Sequence, residues 1–189
     1  MLNGLKKYFL QIKALPRVAL FANKSSLHRD YLAKLSQPRY QDPLRLNSYG
    51  YSLFSQADED GILAEIFKRI GISNRTFIEL GCGDGLENNT RLLLLQGWRG
   101  LWVEGSRKLV DGIEERFGAE IATQRLTVKR AFVTAENVDQ LIRDHIRGDI
   151  DVLSIDLDGN DFYVLNAIEC VNPRVIVAEY NGNIGPSVD

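Results

Sequence analysis

The chain has 189 residues, 44% of them hydrophobic and 25% charged, and a formal net charge of −2. That is an ordinary balance for a globular protein, long enough for one domain with a sizeable core and too short for two comfortable ones. Two cysteines and two histidines, each pair far apart in sequence, argue against a disulfide framework and against a zinc site of clustered Cys and His.

The charge is unevenly spread. Residues 1–50 carry nine Lys/Arg against two Asp/Glu, while residues 51–189 carry fourteen against twenty-three. This divides the chain into a basic, helical N-terminal extension with a linker (1–50) and an acidic α/β domain (51–189). A basic arm can touch an anionic surface, but a solvated extension beside an acidic domain accounts for it without nucleic acid. The opening stretch is interrupted by Lys6, Lys7, Lys13 and Arg17, so it lacks the apolar run of a signal peptide. No segment approaches a membrane span. A reducing, cytoplasmic setting is the expectation.

In chain order, residues 1–35 read as helical pieces broken at Pro16, with Leu2, Leu5, Tyr8, Phe9 and Ile12 on one face. The stretch "SQPRYQDPLRLNSYGYS" reads as an extended linker. "DEDGILAEIFKRIGI" spaces Ile62, Ile66, Phe67 and Ile70 helically, with acids at its start and Gly71 near its end. Strands and helices then alternate. "RTFIEL" is followed by the helix "NNTRLLLLQGW", and "GLWVEG" by "RKLVDGIEERFG". "RLTVKRAFVT" is followed by "AENVDQLIRDHI", "IDVLSIDLDG" by "DFYVLNAIECV", and "RVIVAEY" is a fifth strand. Short apolar strands separated by helices predict βαβ units and a doubly wound, mostly parallel sheet. Ligands of such sheets sit at the carboxyl ends of the strands, and Glu79, Glu104, Asp156 and Glu179 fall at or near those ends.

After the first strand the sequence runs Glu79-Leu80-Gly81-Cys82-Gly83-Asp84-Gly85. A dinucleotide fingerprint fails here, because its third glycine would fall on Leu86 or Asn88, and no Gly-Lys-Ser/Thr follows for a P-loop. Glycines let the backbone turn tightly and a ligand approach it, and an acid just before the turn suits a ligand bearing positive charge. Asn88, Asn89 and Thr90 read as a cap for the next helix. Trp98 and Trp102 read as core, and Cys82 as a small residue in a tight loop. Asp156, with Glu179 and Asn181 at the next strand tip, forms an oxygen-rich set that suits Mg²⁺ or Ca²⁺. Asp158 to Asp161 read as a turn and helix cap instead. Gln56, Glu59 and Asp60 precede the first strand, either closing over a ligand or capping a helix.

The glycine loop, with Glu104 at the second strand tip, resembles the first motifs of class I S-adenosylmethionine methyltransferases. "YSLFSQADEDGILAEIF", "FIELGCGDGLENNTRLLLLQGWRGLWVEG", "DVLSIDLDGNDFYVLNAI" and "PRVIVAEYN" are together similar to the FkbM-like family within that class. The resemblance covers Tyr51 to Asn181, with Ala57-Asp58 departing from the more usual Asn-Gly. It implies a Rossmann-like fold that binds S-adenosylmethionine through Glu79, Gly81, Gly83, Gly85 and Asp156. Glu104 would take the ribose, and Ala131 and Phe132 the adenine. It implies methyl transfer to a hydroxyl of a saccharide or small metabolite, with Asp156 as the base, directly or through a metal. Such enzymes usually continue with two more strands. The chain is therefore expected to lack strands six and seven, leaving strand five as an edge that a homodimer could cover. A cofactor-binding module that serves association rather than catalysis is the alternative.

Overall fold

The computed structural model describes residues 33, 36 and 42–179. The helical pieces expected before residue 33 and the candidate ligand Asn181 lie outside the described residues. The chain divides into two compact units, Met1–Tyr49 and Gly50–Asp189. The described part of the first is a 3-10 turn, Leu46–Tyr49, preceded by an Asp42 side chain that accepts from the Leu44 N–H at 2.9 Å.

The second unit opens with helix α1, Glu59–Ile70. Glu59 and Asp60 lie in its first turn and Lys68 and Arg69 in its last, each sign matching the helix dipole. The Gly71 N–H bonds back to the Phe67 carbonyl at 2.9 Å with φ at 72°, a conformation that favours glycine at a helix end. Strand β1, Thr76–Leu80, is buried throughout. It leads to α2 (Arg91–Leu95), β2 (Arg99–Glu104), α3 (Arg107–Arg116), α4 (Gly118–Ala122) and β3 (Leu126–Arg130). Helix α5 (Val138–Arg143), β4 (Gly148–Ile155), α6 (Asp161–Asn166) and β5 (Val171–Ala178) follow.

All strand pairs are parallel, in the order β3-β2-β1-β4-β5. Among the described residues there is no sixth or seventh strand. Alternate side chains feed two cores, one on each sheet face. Phe77 and Trp102 join Leu63, Phe67 and Trp98 on one side, while Ile78, Leu101 and Val103 join Val138, Ile142 and Leu153 on the other. Edge-to-face ring contacts reinforce the first core, Phe67 on Trp98 at 5.1 Å and Trp102 on Phe117 at 4.9 Å.

Several helices are shorter than their apolar patterns predict. Helix α2 begins only at Arg91, because Asn89 and Thr90 turn their N–H groups toward Glu79. Helix α5 ends before His145, which is exposed. Strand β5 starts at Val171, earlier than expected, and contains Pro173, which a sheet tolerates on an edge strand. No helix among the described residues is long and apolar enough to cross a membrane.

Candidate functional site

The sheet order reverses direction between β1 and β4, and a cleft of about 480 Å³ opens there at the strands' carboxyl ends. It brings together Glu79, Gly81, Gly83, Asp156 and Glu179 with Gln56 from the segment before α1 and Glu59 from its first turn. Among the described residues, five carboxylates line it, from Glu59, Glu79, Glu87, Asp156 and Glu179, and no Lys, Arg or His does. A second concavity, of about 430 Å³, lies at the opposite end of the strands, around Thr76, Gly100 and Thr127, away from the glycine loop.

The three glycines of the loop have three different jobs. Gly81, at φ 82°, sits so close to β4 that a Cβ there would lie 1.8 Å from the Asp156 carbonyl oxygen. Gly85 faces inward, where a Cβ would meet Trp102 at 2.7 Å. Only Gly83, at φ 59°, has no atom within 4 Å of where its Cβ would stand, and it lines the cleft. Gly83 is therefore the loop position that offers bare backbone to a ligand.

Glu104, at the tip of β2, is tied to that position. Its Oε2 accepts from the Gly83 N–H at 3.1 Å and its Oε1 from the Ser106 N–H at 2.8 Å. A carboxylate has about four acceptor sites, so Glu104 keeps capacity for a vicinal diol. Glu79 lines the cleft and is at the same time engaged by the chain's own donors. It is 2% exposed, and its carboxylate accepts from Asn89 N–H at 2.9 Å, Thr90 N–H at 3.2 Å and Thr90 Oγ1 at 2.5 Å. Trp102 Nε1 donates to the same hydroxyl at 2.8 Å. Burial pushes the Glu79 carboxyl up to about 7, against the pull of those donors. Its bonds to Asn89 and Thr90 fix the path of the loop at the cleft.

The expected helix cap at 88–90 is divided among three partners. Asn88 Oδ1 caps the Arg91 N–H at 3.0 Å, Asn89 Nδ2 reaches Ser154 Oγ at 3.0 Å, and Thr90 serves Glu79. Ala131 continues from the end of β3, its N–H bonded to the Glu104 carbonyl at 3.1 Å. Phe132 is 79% exposed, its ring against Gly105, and stands apart from the cleft lining. Cys82 is buried and its thiol is driven up by burial and by Glu79 and Glu104, which makes it inert.

At the other end of the cleft, Asp156, Asp158 and Glu179 each bring an oxygen within 4.8 Å of the others. Burial, then the charges of Asp158 and Asp161, raises the Asp156 carboxyl, and its hydrogen bond with Glu179 opposes that. Asp156 in turn raises Glu179. The turn expected at Asp158–Gly159 is present, with φ 52° and 108°. Asp161 holds it by accepting from Leu157 N–H and Gly159 N–H, both at 3.1 Å, rather than by capping its own helix.

Sequence reading had left Gln56, Glu59 and Asp60 open between ligand and cap, and the structure separates them. Gln56 and Glu59 line the cleft, while Asp60 Oδ2 collects the N–H groups of Leu53, Phe54 and Ser55.

A five-stranded parallel sheet of this order, with a glycine loop after its central strand, defines the Rossmann-like methyltransferase fold. The sequence profile described as the methyltransferase FkbM domain matches residues 63–188, and the chain belongs to that family. No curated protein matches the chain. Among solved structures it is similar to the methyltransferase domain of a bacterial Hen1 protein, at 18% identity and TM-score 0.45 over 71% of this chain and 65% of that one. It is also similar to an O-methyltransferase from Bacillus cereus in complex with SAH, at 16% identity and TM-score 0.41 over 77% of this chain and 60% of that one. A S-adenosylmethionine-dependent methyltransferase from Clostridium acetobutylicum matches at 13% identity and TM-score 0.41, over 77% of this chain and 54% of that one. The chain thus spans less than two thirds of the length of each of these three.

Proposed function

We propose that this FkbM-family chain binds S-adenosylmethionine in the β1–β4 cleft and transfers its methyl group to a hydroxyl of a saccharide or small metabolite. The observation that carries this reading is the open backbone at Gly83, held by Glu104 inside a cleft lined by carboxylates without a cation. Such a lining fits a ligand with net positive charge and disfavours a pyrophosphate. When bound, the cofactor supplies an electrophilic methyl on a sulfonium. Glu104 would hold the ribose hydroxyls, Gly83 would give close approach, and Ala131 and Phe132 lie at the strand tip assigned to the base. Asp156 takes the hydroxyl proton, a role suited by a carboxyl whose proton affinity burial has raised. Asp156, Asp158 and Glu179 also admit a hard cation such as Mg²⁺, which would acidify the same hydroxyl.

Calorimetric titration of S-adenosylmethionine should show binding that weakens about tenfold or more in Glu104→Ala, the loss of at least one charge-assisted hydrogen bond. Transfer of a labelled methyl to a panel of hydroxylated acceptors should be abolished in Asp156→Asn, with affinity for the cofactor largely kept. Full turnover by that variant would remove Asp156 as the base. A loss of turnover in EDTA would assign the acidifying role to a metal.

A second reading rests on β5, which pairs only with β4 among the described residues and leaves Ile176 47% exposed. On this reading the sheet edge joins a second copy of the chain, whether or not the chain is catalytic. Sedimentation should then show a dimer that Ile176→Lys dissociates, whereas a monomer at tens of micromolar rejects it.

A further inference from the structure

The cleft has two ends and a wall that the family fold does not by itself explain. That wall is the segment Tyr51–Glu59, which runs into the first residue of α1 and is fastened at three points. Asp60 Oδ2 accepts from the N–H groups of Leu53 at 2.7 Å, Phe54 at 2.6 Å and Ser55 at 3.0 Å. Asp60 Oδ1 remains buried without a partner, a cost that three donors on the other oxygen offset. The Gly61 N–H bonds to the Tyr51 carbonyl at 3.0 Å. The Phe54 ring lies under the Arg91 guanidinium, 4.4 Å from its centroid, and Arg91 opens the helix that follows the glycine loop. The segment is a strap tied to both α1 and the exit of the loop.

The polar groups of the cleft are mostly committed. Glu79 is engaged by Asn89 and Thr90, Asn89 Nδ2 by Ser154, and Asn88 by Arg91 and Cys82. Asp156 and Glu179 answer to each other at the far end. Two side chains on this wall keep capacity. Glu59 has only Oε2 occupied, by the Ala57 N–H at 3.0 Å, and the exposed Gln56 carboxamide has no hydrogen bond among the described residues. One is an anion and the other a neutral donor. That pair matches an α-amino acid, whose ammonium needs a carboxylate and whose carboxylate needs a donor.

We infer that this strap recognises the amino-acid end of the cofactor, with Glu59 taking the α-ammonium and Gln56 donating to the α-carboxylate. This rests on the cofactor reading given above and extends it to residues outside the glycine loop. The strap is held in place before the ligand arrives, so little ordering cost falls on binding. A neutral amide opposite the carboxylate adds no cation to the cleft, in keeping with a preference for a positively charged ligand.

The test is a calorimetric comparison of S-adenosylmethionine, S-adenosylhomocysteine and 5′-methylthioadenosine, the last lacking the amino-acid end. Gln56→Ala and Glu59→Gln should each weaken the first two by about tenfold and leave the third unchanged. Glu59→Gln keeps an acceptor for the Ala57 N–H, and Gln56 is exposed, so both variants should melt with the parent. If the parent binds and both variants bind S-adenosylmethionine equally well, the strap assignment is overturned alone. If the folded parent binds none of the three, the cofactor reading fails first and takes the strap with it. Equal loss for all three ligands would overturn the assignment too, since it would place these residues away from the amino-acid end.

Discussion

Gly81→Ala should unfold or badly loosen the domain, while Gly83→Ala, two residues away, should leave it folded and impair ligand binding. The contrast follows from where each new methyl group would go. At Gly81 it would stand 1.8 Å from the Asp156 carbonyl oxygen and 2.9 Å from its carbon, and both are backbone atoms of the neighbouring strand tip. The Asp156 N–H is itself bonded to the Leu80 carbonyl at 3.0 Å, so β1 and β4 must separate where the ladder is closing. A non-glycine residue at positive φ costs about 1–2 kcal/mol, and overpacking a dense site adds about 1–3 kcal/mol. A total near 2–5 kcal/mol is a large fraction of a domain's stability. At Gly83 the φ of 59° lies within the left-handed region and the methyl meets nothing within 4 Å. Its cost should be the backbone part alone, about 1–2 kcal/mol, without the overpacking. The same methyl would project where a ligand must approach the backbone, so affinity should fall at least tenfold. Urea unfolding and calorimetry on the two variants measure both quantities. Equal stability losses would contradict this division of labour.

Asp151→Ala should destabilise the domain by about 3–5 kcal/mol, the range for removing one partner of a buried ion pair. Asp151 is fully buried on β4 and pairs with Arg174 of β5 at 2.8 Å. It also accepts from Ser73 N–H at 3.0 Å, Asn74 N–H at 2.8 Å and Arg75 N–H at 2.8 Å, the turn that feeds β1. Arg174 adds bonds to the Ile70 and Gly71 carbonyls, both at 2.9 Å, at the end of α1. Alanine would leave three backbone donors and a guanidinium without their acceptor. Burial alone would raise the Asp151 carboxyl, but Arg174 and the N–H groups of Asn74, Ser73 and Arg75 overcome it and hold the carboxyl below the usual range. A depressed folded-state value means the stabilisation is complete above the unfolded carboxyl's value, about 4. It is lost as pH falls through the depressed value. Acid titration of the unfolding free energy should therefore fall less steeply in the variant than in the parent. Identical acid profiles would show that Asp151 is not the group responsible.

The two variants show what the sequence made legible and what it hid. The alternation of strands and helices, the glycine loop and the strand-tip acids Glu104 and Asp156 were readable because local pattern and strand position determine them. The role of Glu79 was hidden. Its spacing before the loop is compatible with facing a ligand, and only the tertiary path of Asn89 and Thr90 shows that the chain's own donors reach it first. Asp60 was hidden for the same reason. An acid in the first turn of a helix reads as a dipole partner, and nothing local shows the preceding segment folding back onto it. Asp151 carried only half a signal, since an acid inside an apolar strand announces a partner without naming one. Phe132, which the family resemblance assigns to the adenine, stands 79% exposed at the strand tip.

The strand order also bears on when the site comes into being as the chain folds. Phe77 of β1 pairs with Gly100 on one side and with Val152 on the other, so one seam closes a short loop and the other a much longer one. Closing the longer loop carries the larger entropic cost, and parallel pairings of distant segments are slow to form. The half-sheet β1-β2-β3 can assemble from neighbours in sequence, but the wall that Asp156 provides arrives only with β4. The cleft thus depends on the seam with the larger closure cost, and a chain with only the half-sheet formed would carry Gly83 without Asp156 across the cleft.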